Sequence, residues 1–311
     1  TLRGGLRYEE INKDVDFLRC DSTPYSGCSP LPLRTGNRKD KKFQPAITLE
    51  TRPAEDVMIY TSFKKGFKSG GFSGTDGLPF NPESANAYEI GLKSRFFDKR
   101  VLFNLTAFRS NYKDLQVSSF DPATALFLTT NAASARTQGL EAELQLAVTQ
   151  NFKLSGNVTY LDATYEDFTK SQCWAGQTAA LGCVTVGASS TQDLSGVTTP
   201  YAPNWSGSIA ADWSKDIGSG LTLKAGSDLY FTSRFATSTD IHPDSFQEKF
   251  AKLNARIGLS TESGWDLSLA VRNLTDKRTA AFKNTIPGGF NSIAAFTEPP
   301  RTFTIQTRYK F

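Results

Sequence analysis

Histidine, methionine and cysteine are scarce in this chain: 311 residues contain one His, one Met and four Cys. A lone His242 leaves no His-based metal set. The cysteines fall in two close pairs, Cys20 with Cys28 and Cys173 with Cys183, and neither pair has C-x-x-C spacing. Zinc is excluded on that pattern. Also missing is any run near the ~18 consecutive apolar residues of a membrane helix. That absence says nothing about strands, whose alternating pattern gives a weak hydropathy signal. Neither sign of charge dominates, with 35 basic and 31 acidic residues interspersed. There is no basic stripe of the kind nucleic acid requires. The Gly-rich stretch 66–77 lacks the G-x-x-x-x-G-K-[ST] phosphate cradle and reads as a flexible loop. No leader sequence opens the chain, which starts as a strand at Thr1-Leu2-Arg3-Gly4-Gly5-Leu6. This start suggests a processed or partial chain.

What the chain does have is alternation. Phe303, Ile305, Tyr309 and Phe311 share one face of the last segment, and Thr304, Gln306, Arg308 and Lys310 share the other. Side chains on a strand alternate with period two, so each such segment has one apolar and one polar face. The same phase recurs upstream. Leu140, Ala142, Leu144 and Leu146 oppose Glu141, Glu143 and Gln145, and Phe152, Leu154, Val158 and Tyr160 oppose Lys153, Ser155, Asn157 and Thr159. Trp205, Ile209, Ala211 and Trp213 oppose Ser206, Ser208 and Asp212. Leu223 opposes Lys224 and Asp228, Ile257 opposes Arg256, and Leu267 and Leu269 oppose Asp266 and Arg272. Earlier strands are expected at roughly 2–10, 43–52, 57–66, 86–97 and 101–118, for about 12 in all.

Connections alternate in length. Short turns rich in Gly, Asn, Asp and Pro are expected near 53–56, 98–100, 149–151, 217–220 and 262–264. Long segments fall near 12–42, 67–85, 165–203, 233–249 and 276–299, longer than compact domains usually tolerate. Every short turn lies at the end that carries Phe311. The fold class expected is all-β: an antiparallel transmembrane β-barrel with its apolar face toward lipid and its charged face toward the lumen. Leu223 is expected near mid-bilayer. The paired cysteines, set in Ser-, Gly- and Thr-rich stretches, suit loop disulfides and an oxidising compartment. His242 is expected to be a solvated loop residue. No catalytic residue, metal or cofactor is expected, since the carboxylates alternate with apolar residues as wall groups do. The long loops carry Trp174, Tyr201, Arg234, Phe235, Phe246, Phe282, Phe290 and Phe296. Aromatics with a few polar groups suit a small-molecule site, and Arg234, Phe235 and Phe290 are the candidates for ligand contact.

Particular residues resemble one family. Tyr60-Thr61-Ser62-Phe63-Lys64-Lys65-Gly66-Phe67, Tyr88-Glu89-Ile90-Gly91-Leu92-Lys93, Gly139-Leu140-Glu141-Ala142-Glu143 and Asn273-Leu274-Thr275-Asp276-Lys277 resemble the barrel strands of TonB-dependent outer-membrane receptors. The closing strand with its terminal Phe311 is similar to those read by the barrel-assembly machinery. The resemblance implies a larger, 22-stranded barrel around an N-terminal plug. Residues 1–311 would be the C-terminal part, with plug and earlier strands absent. It further implies a bacterial outer-membrane location and contact with outer-membrane lipid. Its other partners would be the N-terminal half and plug, the TonB complex through the plug, and a small-molecule ligand. The function implied is TonB-driven uptake of a scarce nutrient, most often a ferric siderophore, with carbohydrate or cobalamin as alternatives. A passive porin-like channel is the reading outside that mechanism.

Overall fold

The computed structural model describes residues 1–17, 34–121, 126–187, 189–286 and 292–311. Twelve antiparallel strands pair in sequence order to make one sheet. They are β1 (Leu2–Phe17), β2 (Arg34–Ala54), β3 (Val57–Lys68), β4 (Glu83–Phe96), β5 (Val101–Asp121) and β6 (Leu126–Ala147). The rest are β7 (Phe152–Asp167), β8 (Trp205–Gly218), β9 (Leu221–Thr232), β10 (Phe250–Thr261), β11 (Trp265–Arg272) and β12 (Thr302–Tyr309). Among the described residues no ladder joins β1 to β12, so the sheet has two free edges.

Register turns the local alternation into one continuous surface. Leu92 lies opposite Leu105, Leu105 opposite Ala142, and Ala142 opposite Val158. Further along, Ile209 meets Leu229, Leu229 meets Leu253, Ile257 meets Leu269, and Leu269 meets Ile305. Residues directly opposite one another point to the same side, so the apolar face runs unbroken across all twelve strands. Large apolar side chains on it stand exposed, including Ile90, Leu140, Ile209, Ile257, Leu267 and Ile305. Such a face in water would be a liability; in lipid it is the requirement.

Aromatic pairs border this face. At the long-loop end lie Tyr8–Phe43, Phe63–Tyr88 and Tyr160–Trp205, with ring centroids 4.8, 5.1 and 5.0 Å apart. At the short-turn end Trp265 and Tyr309 pair at 4.8 Å. Trp205 and Trp213 on β8 are separated by about 27 Å of strand at ~3.4 Å per residue. A tilt near 40° makes that a height of about 21 Å, the same order as the ~25 Å apolar band of an outer-membrane barrel. The border also slips in register from strand to strand, which is how tilted strands meet a flat interface.

The expected short turns all lie at one end, and the Lys310 backbone N–H donates to Gly264 O at 2.9 Å beside the last of them. Two expectations need correction. Segment 12–42 is not all loop: β1 and β2 continue, with Asn12 opposite Lys39 and Asp14 opposite Asn37. The β5–β6 hairpin is similarly long. Above the bilayer both faces meet water, so the apolar–polar signal ends while the ladder does not. Leu223 is also not at mid-bilayer. It lies opposite Leu259, which lies opposite Leu267, one step from the Trp265 ring. Cost there falls toward ~0–1 kcal/mol.

Ile257 lies nearer the middle, between Ala225 and Leu269. Ile257→Arg is therefore expected to cost ~2–4 kcal/mol and to impair assembly. Ser268→Arg, on the polar face, should assemble normally. Heat-modifiability of the two variants on gels checks the assignment of faces.

Candidate functional site

On the polar face of the barrel wall, charges are mostly paired across strands. Lys224 Nζ meets Asp266 Oδ2 at 3.0 Å, Asn254 donates to Asp228 at 2.6 Å, and Asn104 donates to Glu143 at 2.9 Å. Arg256 on β10 reaches over β9 to Asp212 on β8. The intervening residue is Gly226, where a Cβ would lie 2.8 Å from both partners. A glycine here lets the ion pair cross a strand.

The long loops at the opposite end from the short turns are built, not slack. Phe168, Leu194 and Val197 of the 168–204 loop pack on Val117, Ala133 and Ala135 of the β5–β6 hairpin. Ile241 of the 233–249 loop joins the same cluster. Cys173 and Cys183 form a disulfide across the 168–204 loop, as expected from their spacing. Closing a loop of that length contributes about 3 kcal/mol in the chain-entropy account. Cys20 and Cys28 lie outside the described residues.

Hydrogen bonds then tie three loops together. Gln192 Nε2 donates to Gln172 O at 2.7 Å and to Asp240 O at 2.8 Å. Thr285 donates to the Asp240 carboxylate at 3.0 Å, and Thr237 donates to Lys283 O at 2.8 Å. Lys283 Nζ donates to Phe246 O at 2.7 Å, and Ala280 N to Gln247 Oε1 at 2.7 Å. Sequence 233–249 is thus the keystone between its two neighbours. His242 is buried within it, not solvated as expected. Its Nδ1 accepts from Asp244 N at 3.0 Å, capping the short turn Pro243–Ser245. Its ring meets Trp174 edge-on at 4.8 Å. The burial follows from that role: the ring is a packing and capping element.

These loops enclose a cavity of about 340 Å³. Its walls include Trp174, Gln177, Thr185, Ser190, Asp240, Asn284 and Thr285, with the disulfide on one side and Phe127 of β6 at the rim. Such a volume with one large aromatic and several hydrogen-bonding groups suits a small polar molecule or part of a larger one. No cluster of potential metal ligands occurs among the described residues.

Two of the sequence candidates, Arg234 and Phe235, are not among the residues lining this cavity. Arg234 donates to Glu248 at 2.9 Å and lies 3.8 Å above the Phe246 ring. Phe235 packs near Tyr201, centroids 6.3 Å apart. Phe290 lies outside the described residues. Trp174 was one loop aromatic among seven, and only the disulfide and the packing against His242 bring it forward.

At the base of the third loop, Glu298 accepts from Lys252 Nζ and from Thr279 Oγ1, the latter at 2.5 Å. The Lys252 ammonium, then the Thr279 hydroxyl, hold the Glu298 carboxyl below the usual carboxylate range. Its contribution is therefore complete above the unfolded value of about 4.3 and lost as pH falls through the lowered folded value. Limited proteolysis of the 273–301 loop should accelerate as pH drops below about 4. In Glu298→Gln it should be faster at neutral pH and lose that acid step. The double variant Cys173→Ser, Cys183→Ser should assemble with native heat-modifiability yet loosen the cavity, read as faster loop proteolysis at neutral pH.

Comparison with known proteins agrees with this architecture. Residues 1–274 match the family "TonB dependent receptor-like, beta-barrel". The probable TonB-dependent siderophore receptor PiuA of Acinetobacter baumannii is 25% identical over 285 residues, covering 88% of this chain and 34% of that protein. The ferrichrome outer membrane transporter/phage receptor of Escherichia coli is 24% identical over 287 residues, covering 89% of this chain and 33% of that protein. The chain thus spans about a third of the length of these curated relatives. The ferric yersiniabactin uptake receptor FyuA of Yersinia pestis has the same fold, with a TM-score of 0.76 at 17% identity. That match covers 100% of this chain and 43% of FyuA. The family and its structural neighbours are receptors and transporters of the bacterial outer membrane, and this chain, with its lipid-facing apolar sheet and roofed polar face, belongs to the TonB-dependent receptors as a stretch of their β-barrel.

Proposed function

We propose that this chain forms the wall and outer mouth of a receptor that captures a ferric siderophore and passes it inward, driven by the TonB complex. The observation that carries the reading is the disulfide-pinned cavity. Three long loops are tied into one hydrogen-bonded unit above a strand face lined with paired charges. A simple channel has no need of such a roof. The two free sheet edges support a larger barrel, because hydrocarbon leaves no partner for unpaired backbone groups. In that barrel the N-terminal half would supply the remaining strands, and the plug would supply the inner wall of the site and the link to TonB. The apolar face of β12, with Phe303, Ile305 and Tyr309 and the following Phe311, is the signal we assign to the assembly machinery. The chain does no bond chemistry in this role.

Cavity chemistry narrows the ligand. No lysine or arginine lines it among the described residues. A site for a highly anionic chelate needs cations. Asp240, Gln177, Ser190 and Thr285 instead suit a neutral or weakly charged chelate with amide and hydroxyl groups, its flat part against Trp174.

The test uses the full-length receptor in cells starved of iron, with a neutral ferric hydroxamate and an anionic ferric catecholate as probes. Uptake should favour the hydroxamate, depend on TonB, and bind about 10-fold more weakly in Trp174→Ala, equivalent to ~1.4 kcal/mol. Uptake of both chelates without TonB would sink the active-transport reading. TonB-dependent uptake of a carbohydrate or cobalamin alone would keep the mechanism and replace the cargo.

A further inference from the structure

Two small sheets contribute to the wall of the loop cavity, and each has an unpaired edge among the described residues. In the 168–204 loop, strand Val184–Val186 pairs with Ser189–Gln192, which pairs in turn with Ser171–Gln172. Val184–Val186 is therefore the outer strand. Residues of an antiparallel strand turn N–H and C=O alternately to its two sides. Cys173 N donates to Ser190 O at 3.4 Å, so the Ser190 backbone faces away from Val184–Val186. Thr185, directly opposite Ser190, consequently points its own N–H and C=O at the open edge. In the third loop, Ala280–Thr285 pairs with Ile293–Thr297. Ile286 N donates to Ser292 O at 2.9 Å on the paired side, whereas Lys283 N–H and C=O both bond the Thr237 hydroxyl on the other. Thr285 lies two residues from Lys283 and turns its backbone the same way. Its hydroxyl donates to Asp240, and its N–H and C=O have no partner among the described residues.

Thr185 and Thr285 thus bring two sets of unspent backbone groups to one cavity, since both line it. Water satisfies such groups on an ordinary loop. Two features favour a recognition role. Val184 and Val186 are 60% and 75% exposed, an apolar pair beside an open ladder, which is the kind of edge that takes up another strand. The edge is also held in place before anything binds: Cys183 of the disulfide immediately precedes Val184, and Thr185 Oγ1 lies 2.9 Å from Ser190 Oγ. A rigid edge loses little freedom when a ligand pairs with it.

We propose that these edges form a subsite for an extended peptide segment, so that the ligand is a chelate carried on a linear peptide backbone. The inference rests on the siderophore reading above and names its ligand class more closely. The occupant follows from the continuity of edge and cavity. Strand addition satisfies main-chain groups with main-chain bonds and leaves alternate side chains to confer specificity. Those side chains fall on opposite faces of the added segment. One set would lie against Val184 and Val186. The other, carrying the iron-binding groups, would pass Thr185 and enter the cavity toward Trp174. About three residues cover ~10 Å of such an edge. A chelate on an alkyl chain has no N–H and C=O at that spacing.

The experiment measures binding of two neutral ferric trihydroxamates to the purified full-length receptor, one on a linear peptide and one on an alkyl-amine chain. The native receptor should bind the peptide chelate about 10-fold more tightly. Thr185→Pro removes the edge N–H at a position where a sheet tolerates proline, and should bring that ratio close to one. Thr185→Ala keeps the N–H and should keep the ratio. Heat-modifiability and an intact Cys173–Cys183 bond verify that the variants assemble. A second arm needs no variant: methylating the backbone nitrogens of the peptide chelate should reduce its affinity for the native receptor to that of the alkyl chelate. Equal native affinity for the peptide and alkyl chelates would overturn the proposal and leave the siderophore reading standing. So would undiminished binding of the methylated chelate, or a native ratio in Thr185→Pro. A native receptor that binds neither chelate would remove the hydroxamate reading and this proposal with it.

Discussion

Hydrocarbon offers no hydrogen bonds, and the rest of this structure follows from that. Each backbone N–H and C=O at membrane depth must find a partner on a neighbouring strand. The result is a ladder of twelve strands in sequence order, with no helix among the described residues long and apolar enough to cross a membrane. Once the ladder is fixed, the period of two decides everything about each wall residue. A single register slip would send Ile257, Leu269 and Ile305 to the polar side and Arg256 and Arg308 into lipid. The aromatic pairs hold the sheet at its depth, with Tyr160–Trp205 near one interface and Trp265–Tyr309 near the other.

The same constraint explains where variety is permitted. At the short-turn end the chain reverses within a few residues, as at Asp98-Lys99-Arg100 and Glu262-Ser263-Gly264. At the other end the chain leaves lipid and can build. It does so in layers. The β5–β6 hairpin stands above the membrane, Phe168 and Leu194 cover it, and the 233–249 loop is seated against both. The cavity beside the disulfide lies among these loops. The site is thus supported by apolar packing below and hydrogen bonds at the sides, which is what places Trp174 and Asp240 across from each other on different loops.

Polar groups on the two faces do different work. On the inner face Lys224, Asp266, Arg256 and Asp212 neutralise one another across strands, giving a wetted lining with little net field. On the outer face above the aromatic border, Arg136 pairs with Asp162 and Glu166, while Lys65, Arg109 and Lys113 form no ion pair among the described residues. Above the bilayer, Glu298, Lys252 and Thr279 close the third loop at its base. One residue class therefore serves as lining or latch according to height and face.

Much of this was legible from the residues in order. The alternation of Leu140, Ala142 and Leu144 against Glu141 and Glu143 fixed strand, face and phase. The positions of Gly, Asn and Pro marked the short turns, and the Cys173/Cys183 spacing anticipated the bridge. These signals are local, and lipid on one side amplifies them. The outer parts of β1 and β2 were missed because water on both faces removes the apolar–polar contrast there. His242 was misread because a one-histidine loop gives no sign of burial. The cavity was out of reach for a related reason: Trp174, Asp240 and Thr285 are far apart in sequence, and their loops are joined by side-chain hydrogen bonds of Gln192 and Thr285. Sequence alone determined an alternating, lipid-facing wall, since a two-residue period needs only neighbours. Tertiary structure decided the site, since loops without a repeating environment acquire position only from what they pack against.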